Sequence, residues 1–338
     1  MPITAKRISE LSRKFRRKRI IVVGDVMLDH YINGDVRRIS PEAPVLIVDF
    51  TQEHFLPGGA ANVARNLAAL GARVELFGAV GIDSQARTLK QAVRAAGVGV
   101  VGLIAVRNRP TTLKTRVMTS HQQMIRIDRE HRQPLAVEAR NRLLQGLRRA
   151  SRNAAAIIVA DYAKGVLDQA TVDAIMAIGR RADVPVCIDP KPSRQLRMKG
   201  CALLTPNRKE TFELAGLPDE PVGGNPAKHR GLRRAMALIQ KRFNPGILLV
   251  TLGECGMLVL PRGGQPRHLA TTAREVYDVS GAGDTVIATF VIARAVGAEV
   301  VEAAALANLA AGVVVGKLGA ATVSPQELVA WAEGGAKR

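Results

Sequence analysis

From about residue 135 onward the chain repeats one unit: a helical stretch, a short run of aliphatic residues, and a polar residue where the run stops. The runs at 156–160, 186–189, 202–204 and 247–251 have Asp161, Asp189, Asn207 and Thr251 at or shortly past their ends. Short strands without polar alternation are buried on both faces, and strands separated by helices pair in parallel. Sheets of this kind collect ligands outside the carboxyl ends of their strands. One polar residue at a strand end says only that loops are polar, but four in the same place predict one cleft along one edge. The expected fold class is α/β, with a mostly parallel central sheet flanked by helices.

The first half of the chain breaks the rhythm. Ile20-Ile21-Val22-Val23 reads as a buried strand stopped by Gly24, with Asp25 and Asp29 placed beyond its end. A second strand at 45–50 follows with no helix between. Gly58-Gly59-Ala60-Ala61-Asn62 opens a helix over 63–70 that Gly71 ends, and a strand at 74–78 and a helix at 84–96 come next. The segments 111–119 and 123–128 alternate as a hairpin turning near Ser120-His121. Strands drawn from about 31–50 and 103–128 thus lack helices between them and predict a small separate sheet, a lid. Gly97-Val98-Gly99-Val100-Val101-Gly102 has the spacing of a dinucleotide loop, which needs a strand before it and a helix after it. Here the order is reversed, and the match is rejected. The expected layout is a basic extension over 1–18, one domain over 19–333 that closes with helices near 283–296, 300–317 and 325–333, and a tail over 334–338.

No apolar run approaches the length of a membrane span, and the N-terminus has no apolar signal region. Cys187, Cys201 and Cys255 have no Cys-x-x-Cys spacing and read as reduced thiols, which points to the cytoplasm. The six histidines (30, 54, 121, 131, 229, 268) have no metal-ligand spacing. The net charge is +20, of which residues 1–19 carry eight bases against one acid. Such a chain can meet nucleic acid, an anionic membrane or anionic small molecules. Only eleven Phe, Trp and Tyr are spread over it, without a recognition motif. Anionic small molecules account for the charge equally well, so neither nucleic acid nor membrane is expected as a partner. The basic stretch 13–19 reads as a solvated helix face.

The chemistry concentrates in Asp278-Val279-Ser280-Gly281-Ala282-Gly283-Asp284-Thr285, which runs into an apolar helix opening near Gly283. Small residues let the backbone approach a ligand, and the free N–H groups of a first helical turn attract anions. Asp284 puts a carboxylate where anions gather. That placement suits a base taking a proton from a hydroxyl that attacks a phosphoryl group held by the amides.

With its neighbours, this turn makes the chain resemble the ribokinase-like (PfkB) carbohydrate kinases. Gly58-Gly59-Ala60-Ala61-Asn62, Thr205-Pro206-Asn207-x-x-Glu210 and Thr251-Leu252-Gly253-Glu254-x-Gly256 stand in the family's order before it, and the resemblance covers about 19–333. Further residues are similar to the family's heptose-7-phosphate kinase branch. These are 23–31, Arg38-Ile39-Ser40-Pro41-Glu42-Ala43-Pro44-Val45, Gln123 to Asp128, Asp161-Tyr162-Ala163-Lys164-Gly165 and Asp189-Pro190-Lys191. Kinases of that branch are often fused to a nucleotidyltransferase domain, and the end near residue 338 reads as the stand-alone form. Arg65, where small or apolar residues are more usual, is a departure that touches a surface detail.

The resemblance implies a ribokinase-like sheet with a β lid, ATP and Mg²⁺ as cofactors, and phosphorylation of the anomeric hydroxyl of a heptose 7-phosphate. Asp284 is then the base, with the amides of Gly281, Ala282 and Gly283 as the anion hole. Asp29, Gly58, Gly59 and Asn62 take the sugar positions. Asn207, Arg208, Lys209 and Glu210 fall on the ATP phosphates, Glu210 reaching the metal through water. Thr251, Gly253 and Gly256 line the nucleotide site, and Asn308 approaches the adenine. Arg116, Arg126, Lys164 and Lys191 are candidates for the substrate phosphate. The lids of related kinases pair between two subunits, so a homodimer is expected. The alternatives are another sugar or sugar-phosphate kinase of the family and a non-catalytic basic nucleic-acid-binding protein. An adenylyltransferase would need a His-x-Gly-His motif, which is absent.

Overall fold

The computed structural model describes residues 3–119, 122–194 and 196–335. Helix α1 (Ala5–Phe15) leads into β1 (Arg19–Gly24), and β2 (Val26–Ile39) and β3 (Leu46–Gly59) follow before α2 (Ala60–Ala69). Next come β4 (Arg73–Val80), α3 (Ser84–Ala95), β5 (Val98–Ala105), β6 (Thr112–Met118) and β7 (Gln123–Arg129). The repeating part holds α4 (Val137–Ala150), β8 (Ala156–Ala160), α5 (Gln169–Ala182), β9 (Val186–Asp189) and β10 (Leu203–Leu204). It continues through α6 (Arg208–Ala215), α7 (Arg230–Phe243), β11 (Ile247–Thr251), β12 (Met257–Pro261) and β13 (Arg267–Leu269). Helices α8 (Ala282–Ala295), α9 (Val300–Val314) and α10 (Pro325–Gly335) close the chain.

One sheet runs β13-β12-β11-β10-β9-β8-β1-β4-β5, with the seven strands from β11 to β5 parallel and β12 and β13 antiparallel. The β1 side chains show why two layers of helices cover it. Ile20 and Val22 enter one core with α1, α2, α3, α8, α9 and α10, while Ile21 and Val23 enter the other with α4 to α7. All four are fully buried, worth about 1.5–3 kcal/mol each. The polar residues Asp161, Asp189, Asn207 and Thr251 stand side by side at the carboxyl ends of β8 to β11, as the repeat predicts, and Asn207 bridges to Thr251.

The second sheet, β3-β2-β6-β7, is the expected lid. It uses more of the chain than the sequence suggested, because β2 starts directly after Asp25 and β3 runs on to Gly59. It also excludes 103–105, because Gly102 to Ala105 pair in parallel with Phe77 to Val80 of β4 and so extend the central sheet. The rejected glycine motif follows α3 and forms the start of β5, the helix-then-strand order on which it was rejected. The hairpin turn at Ser120-His121 and residues 336–338 of the tail lie outside the described residues.

The N-terminal helix differs from a solvated appendage. Arg13, Lys14, Arg16 and Arg17 are exposed, but Ile8, Leu11 and Phe15, three and four apart, form a stripe with no exposure at all. Arg7 grips Glu302 of α9 through two hydrogen bonds of 2.6 and 3.1 Å. Helix α7 and strand β13 were also not read from the sequence. Cys187 and Cys201 are buried free thiols whose pKa values burial raises, that of Cys201 to about 12.

Candidate active site

Asp284 is the third residue of α8, behind a turn that Gly281 makes at φ +78°. The turn is pinned from both sides. Asp278 accepts from the N–H of Ser280 at 2.8 Å and of Gly319 at 3.1 Å. A Cβ on Gly281 would lie 2.7 Å from the Asn62 amide nitrogen, so only glycine lets α8 start against α2 here. Gly283 faces open space, whereas the Ala282 N–H donates to the Val279 carbonyl at 3.2 Å and is the engaged member of the expected anion hole.

The Asp284 carboxyl is buried and held at both oxygens. Asn62 donates to Oδ2 at 2.6 Å, and the Tyr162 hydroxyl donates to Oδ1. Burial pushes its pKa up to about 6, opposed by these two hydrogen bonds and by Arg65, and helped by the charge of Asp29. Burial and the Asp284 charge hold the Tyr162 phenol well above its ordinary value, so it remains a donor. A second buried link ties the same two helices: Thr285 donates to Asn66 at 2.8 Å, and Asn66 donates to the Asn62 carbonyl at 2.9 Å.

Tyr162 reaches Asp284 because the loop after β8 is built on Asp25. The buried Asp25 carboxylate accepts from the N–H groups of Tyr162, Lys164 and Val166 at 3.1, 2.9 and 2.9 Å. The sequence reading placed Asp25 near a ligand; here it organises a loop. Tyr162 was not read as a site residue. Its position one past the strand-end Asp161 was the signal available.

Among the positions expected to hold a sugar, Asp29 lies in β2 with Arg116 donating to it at 2.5 Å, and Arg116 also stacks over Tyr31. Gly58 stands across from this carboxylate, where a Cβ would fall 2.1 Å from Asp29 Oδ2. Gly58→Ala must therefore displace Asp29 and break the Arg116 contact. We expect a rise in KM for the sugar substrate of at least tenfold with KM for ATP unchanged, measured by steady-state kinetics. Gly59, at φ +57°, caps α2, and a Cβ there would meet the Asp25 carbonyl at 2.5 Å. Arg65 is half-buried, donates to the Ala320 carbonyl, and is close enough to Asp284 and Asp29 to feel both charges. It is part of the site and more than a surface detail.

The four phosphate candidates do not converge. Arg116 and Arg126 are cross-strand partners on the lid, with Arg126 paired to Asp128 at 2.8 Å. Lys164 pairs with Glu130 at 2.6 Å. Lys191 pairs with Glu210 at 3.0 Å and so belongs with the expected ATP residues instead. There, Asn207 and Glu210 form a reciprocal cap on α6, with Glu210 N–H to Asn207 Oδ1 at 2.9 Å and Asn207 N–H to Glu210 at 3.0 Å. Arg208 pairs with Asp219 at 3.0 Å, and Lys209 is exposed. Thr251 ends β11 beside Asn207, with Gly253 (φ +59°) and Gly256 (φ +80°) in the turn beyond. The Asn308 amide donates to the Ala270 carbonyl at 2.6 Å. Asn308 lines a cavity of about 700 Å³ with Leu269, Thr272 and Trp331, away from Asp284.

The arrangement is a buried carboxyl in the first turn of a helix, near a second carboxylate, Asp29, on the carboxyl edge of a parallel sheet. The chain superposes on the ribokinase of Arabidopsis thaliana complexed with ribose and ATP with a TM-score of 0.73, at 21% identity over 94% of this chain and 99% of that one. For phosphofructokinase-2 of Escherichia coli in complex with potassium the TM-score is 0.76, at 18% identity over 94% and 99%. The proteins called bifunctional protein HldE are closer in sequence. That of Edwardsiella ictaluri is 46% identical over 93% of this chain, and that of Pelobacter propionicus 41% identical over 96%. The chain spans 63% and 65% of their respective lengths. The family model described as pfkB family carbohydrate kinase matches residues 17–327. With that match over most of its length, and the fold to go with it, the chain belongs to the PfkB family and is an ATP-dependent carbohydrate kinase.

Proposed function

We propose that the substrate is D-glycero-β-D-manno-heptose 7-phosphate, phosphorylated at its C1 hydroxyl to the 1,7-bisphosphate on the way to ADP-heptose and the lipopolysaccharide core. The observation that carries a phosphorylated sugar is Arg116 bonded to Asp29 with Arg126 directly across the lid from it. A free sugar gives no reason for a guanidinium beside the group that would hold its hydroxyls; Arg126, one strand further out, is held by Asp128. The residues at 38–45, similar to the heptose-phosphate branch, support the particular sugar.

In this reading, Asp29, Gly58, Gly59 and Asn62 seat the sugar with its C1 hydroxyl toward Asp284. The hydroxyl oxygen forms a bond to the γ-phosphorus of ATP, the bond from that phosphorus to the β–γ bridging oxygen breaks, ADP leaves, and the proton passes to Asp284. The first-turn amides of α8, led by Gly283, receive the charge that develops on the phosphoryl oxygens. Burial and the charges of Glu210 and Asp284 raise the Asp189 carboxyl well above its ordinary range, against the hydrogen bond from Thr205 and the charge of Lys191. Such a set of oxygen donors fits Mg²⁺. In this reading Glu210 would reach the metal through water. Mg²⁺ would there neutralise phosphate charge. Asn207, Arg208 and Lys209 face the phosphates, and Thr251, Gly253, Gly256 and Asn308 the rest of the nucleotide.

The experiment is ADP release with heptose 7-phosphate against fructose 6-phosphate, 2-keto-3-deoxygluconate and ribose. A preference for any of the other three would overturn the substrate. Arg116→Ala should raise KM for the phosphosugar roughly 10–150-fold, the loss of one charge-assisted hydrogen bond, and leave ATP unaffected. An equal effect on both substrates would remove Arg116 from the role.

The base must be ionised to act, so kcat/KM should fall about tenfold per pH unit below about 6 and level off above it. Tyr162→Phe removes a hydrogen bond that lowers the Asp284 pKa, so the inflection should move upward. A profile that stays put would show that another group titrates.

The lid also supports a homodimer, and the free thiols support a place in the cytoplasm. Ile39, Phe50, Ile125 and Ile127 are each more than half exposed on it, an apolar surface that a second copy would cover. Light scattering at micromolar concentration should give twice the chain mass, and Phe50→Glu should give monomers.

A further inference from the structure

The positive charge of this chain does not sit mainly at the cleft. All seven parallel strands start at the edge of the sheet opposite the site. Six of them are entered directly from a helix (α1, α2, α3, α4, α5 and α7) whose C-terminus therefore lies on that edge. Every one of these helices except α2 carries Lys or Arg in its last turn. Pairs such as Arg148 and Arg149, Arg180 and Arg181, and Lys241 and Arg242 are all exposed. The edge is continuous: the Arg73 N–H donates to the Lys18 carbonyl, and the Ala155 N–H to that of Arg19.

Cations at helix C-termini complement the helix dipole, which accounts for some of them. It does not account for Arg16 and Arg17 past the end of α1, for Arg73 opening β4, or for Arg152 after α4. It also does not explain the pairing pattern. Around the site and lid many cations are matched, as in Arg116 with Asp29, Lys164 with Glu130 and Lys191 with Glu210, although Arg38 and Lys209 have no ion pair among the described residues. On the opposite edge Arg19 is bound to Glu75, and at its margin Arg7 is bound to Glu302, which also caps Glu299. The other cations named on this edge have no ion-pair partner among the described residues, and Asp183 and Glu299 are further carboxylates near them. Like charges left unmatched at this density repel one another, a cost that a polyanion would remove.

We propose that this edge is a docking face for an anionic lipid surface. Its shape selects the partner. Seven strands about 4.8 Å apart, with a helical layer on each side, make a broad plane on the order of 30 Å across. A bilayer surface covers such a plane entirely, whereas a nucleic-acid duplex meets it along one stripe. The exposed aromatics Phe50 and Tyr277 lie on the lid and in the loop before α8, so the edge offers nothing for bases to stack on. Docked in this way, the cleft and lid face away from the membrane. The inference does not depend on which sugar is phosphorylated.

The test is flotation of the intact chain, at about 0.15 M salt, with phosphatidylcholine vesicles containing about 30% phosphatidylglycerol and with pure phosphatidylcholine vesicles. Binding to the first and not the second is expected. Each surface cation contributes about fivefold, so Arg148→Gln/Arg149→Gln/Arg152→Gln should weaken partitioning on the order of 100-fold, with kinase turnover and melting temperature unchanged. Arg180→Gln/Arg181→Gln should weaken it independently, and Arg37→Gln on the lid should not. Failure to float with anionic vesicles, or the triple variant floating like the unsubstituted chain, would overturn the proposal. So would a duplex DNA or RNA that binds at this salt and strips the protein from vesicles.

Discussion

Asp284→Asn is expected to fold, bind both substrates, and lose at least 10²-fold in kcat, up to about 10⁴-fold, the range for removing a positioned base. The structure also predicts what the substitution does to stability. The folded-state pKa of about 6 lies above the ordinary value of 3.8, so the proton is held more tightly in the folded chain. The stability that goes with this is full below about pH 4 and is lost as pH rises to about 6; above that, the buried charge costs about 3 kcal/mol. Asparagine carries no charge to bury. Its amide can still accept from Tyr162. Asn62 can meet its nitrogen by turning over, because the Asn62 oxygen is buried without a partner. Denaturant unfolding at pH 8 should thus show no loss, and a gain of up to about 3 kcal/mol. Inactivity with preserved stability would isolate the chemical role, while near-normal turnover would discard Asp284 as the base.

Removing residues 1–16, so that the chain starts where the family match begins, is expected to cost more stability than any single substitution in the cleft. Ile8, Leu11 and Phe15 lie in the same core as β1, α2 and α8 and have no exposed surface. At about 1.5–3 kcal/mol for each buried side chain, the loss reaches roughly 5–9 kcal/mol before the entropy of ordering α1 is counted. A domain has only about 5–15 kcal/mol in total. The shortened chain should be insoluble or unfold at much lower urea, whereas Arg13→Gln/Lys14→Gln should shift the midpoint by less than about 0.5 kcal/mol equivalent. An unchanged midpoint after deletion would mean that α1 packs without stabilising.

Those two cases mark where the sequence was legible. The parallel sheet could be read because uniformly apolar runs such as 20–23 and 156–160 have one stable placement, and the place of Asp284 in a first helical turn because small residues before an apolar run open a helix. The role of α1 was hidden by charge, since the basic residues at 13–19 drew attention from the stripe at 8, 11 and 15. Tyr162 was hidden for another reason. Its contact with Asp284 spans 122 residues and depends on Asp25 shaping the intervening loop, which no local pattern encodes. The phosphate candidates suffered from the same blindness to pairing, as Lys191 shows by facing Glu210.

The strands β2 and β3 have a mechanical consequence. They leave β1 at Asp25 and return at Gly59 as one paired ribbon. Asp29 and Gly58 therefore belong to the ribbon, whereas Asp284 and Tyr162 are rooted in the frame. In the proposed reaction the residues that hold the sugar stand on the ribbon and the residue that takes the proton on the frame. A ribbon that swung outward would part the two, and hydrolysis of ATP without the sugar should then be slow.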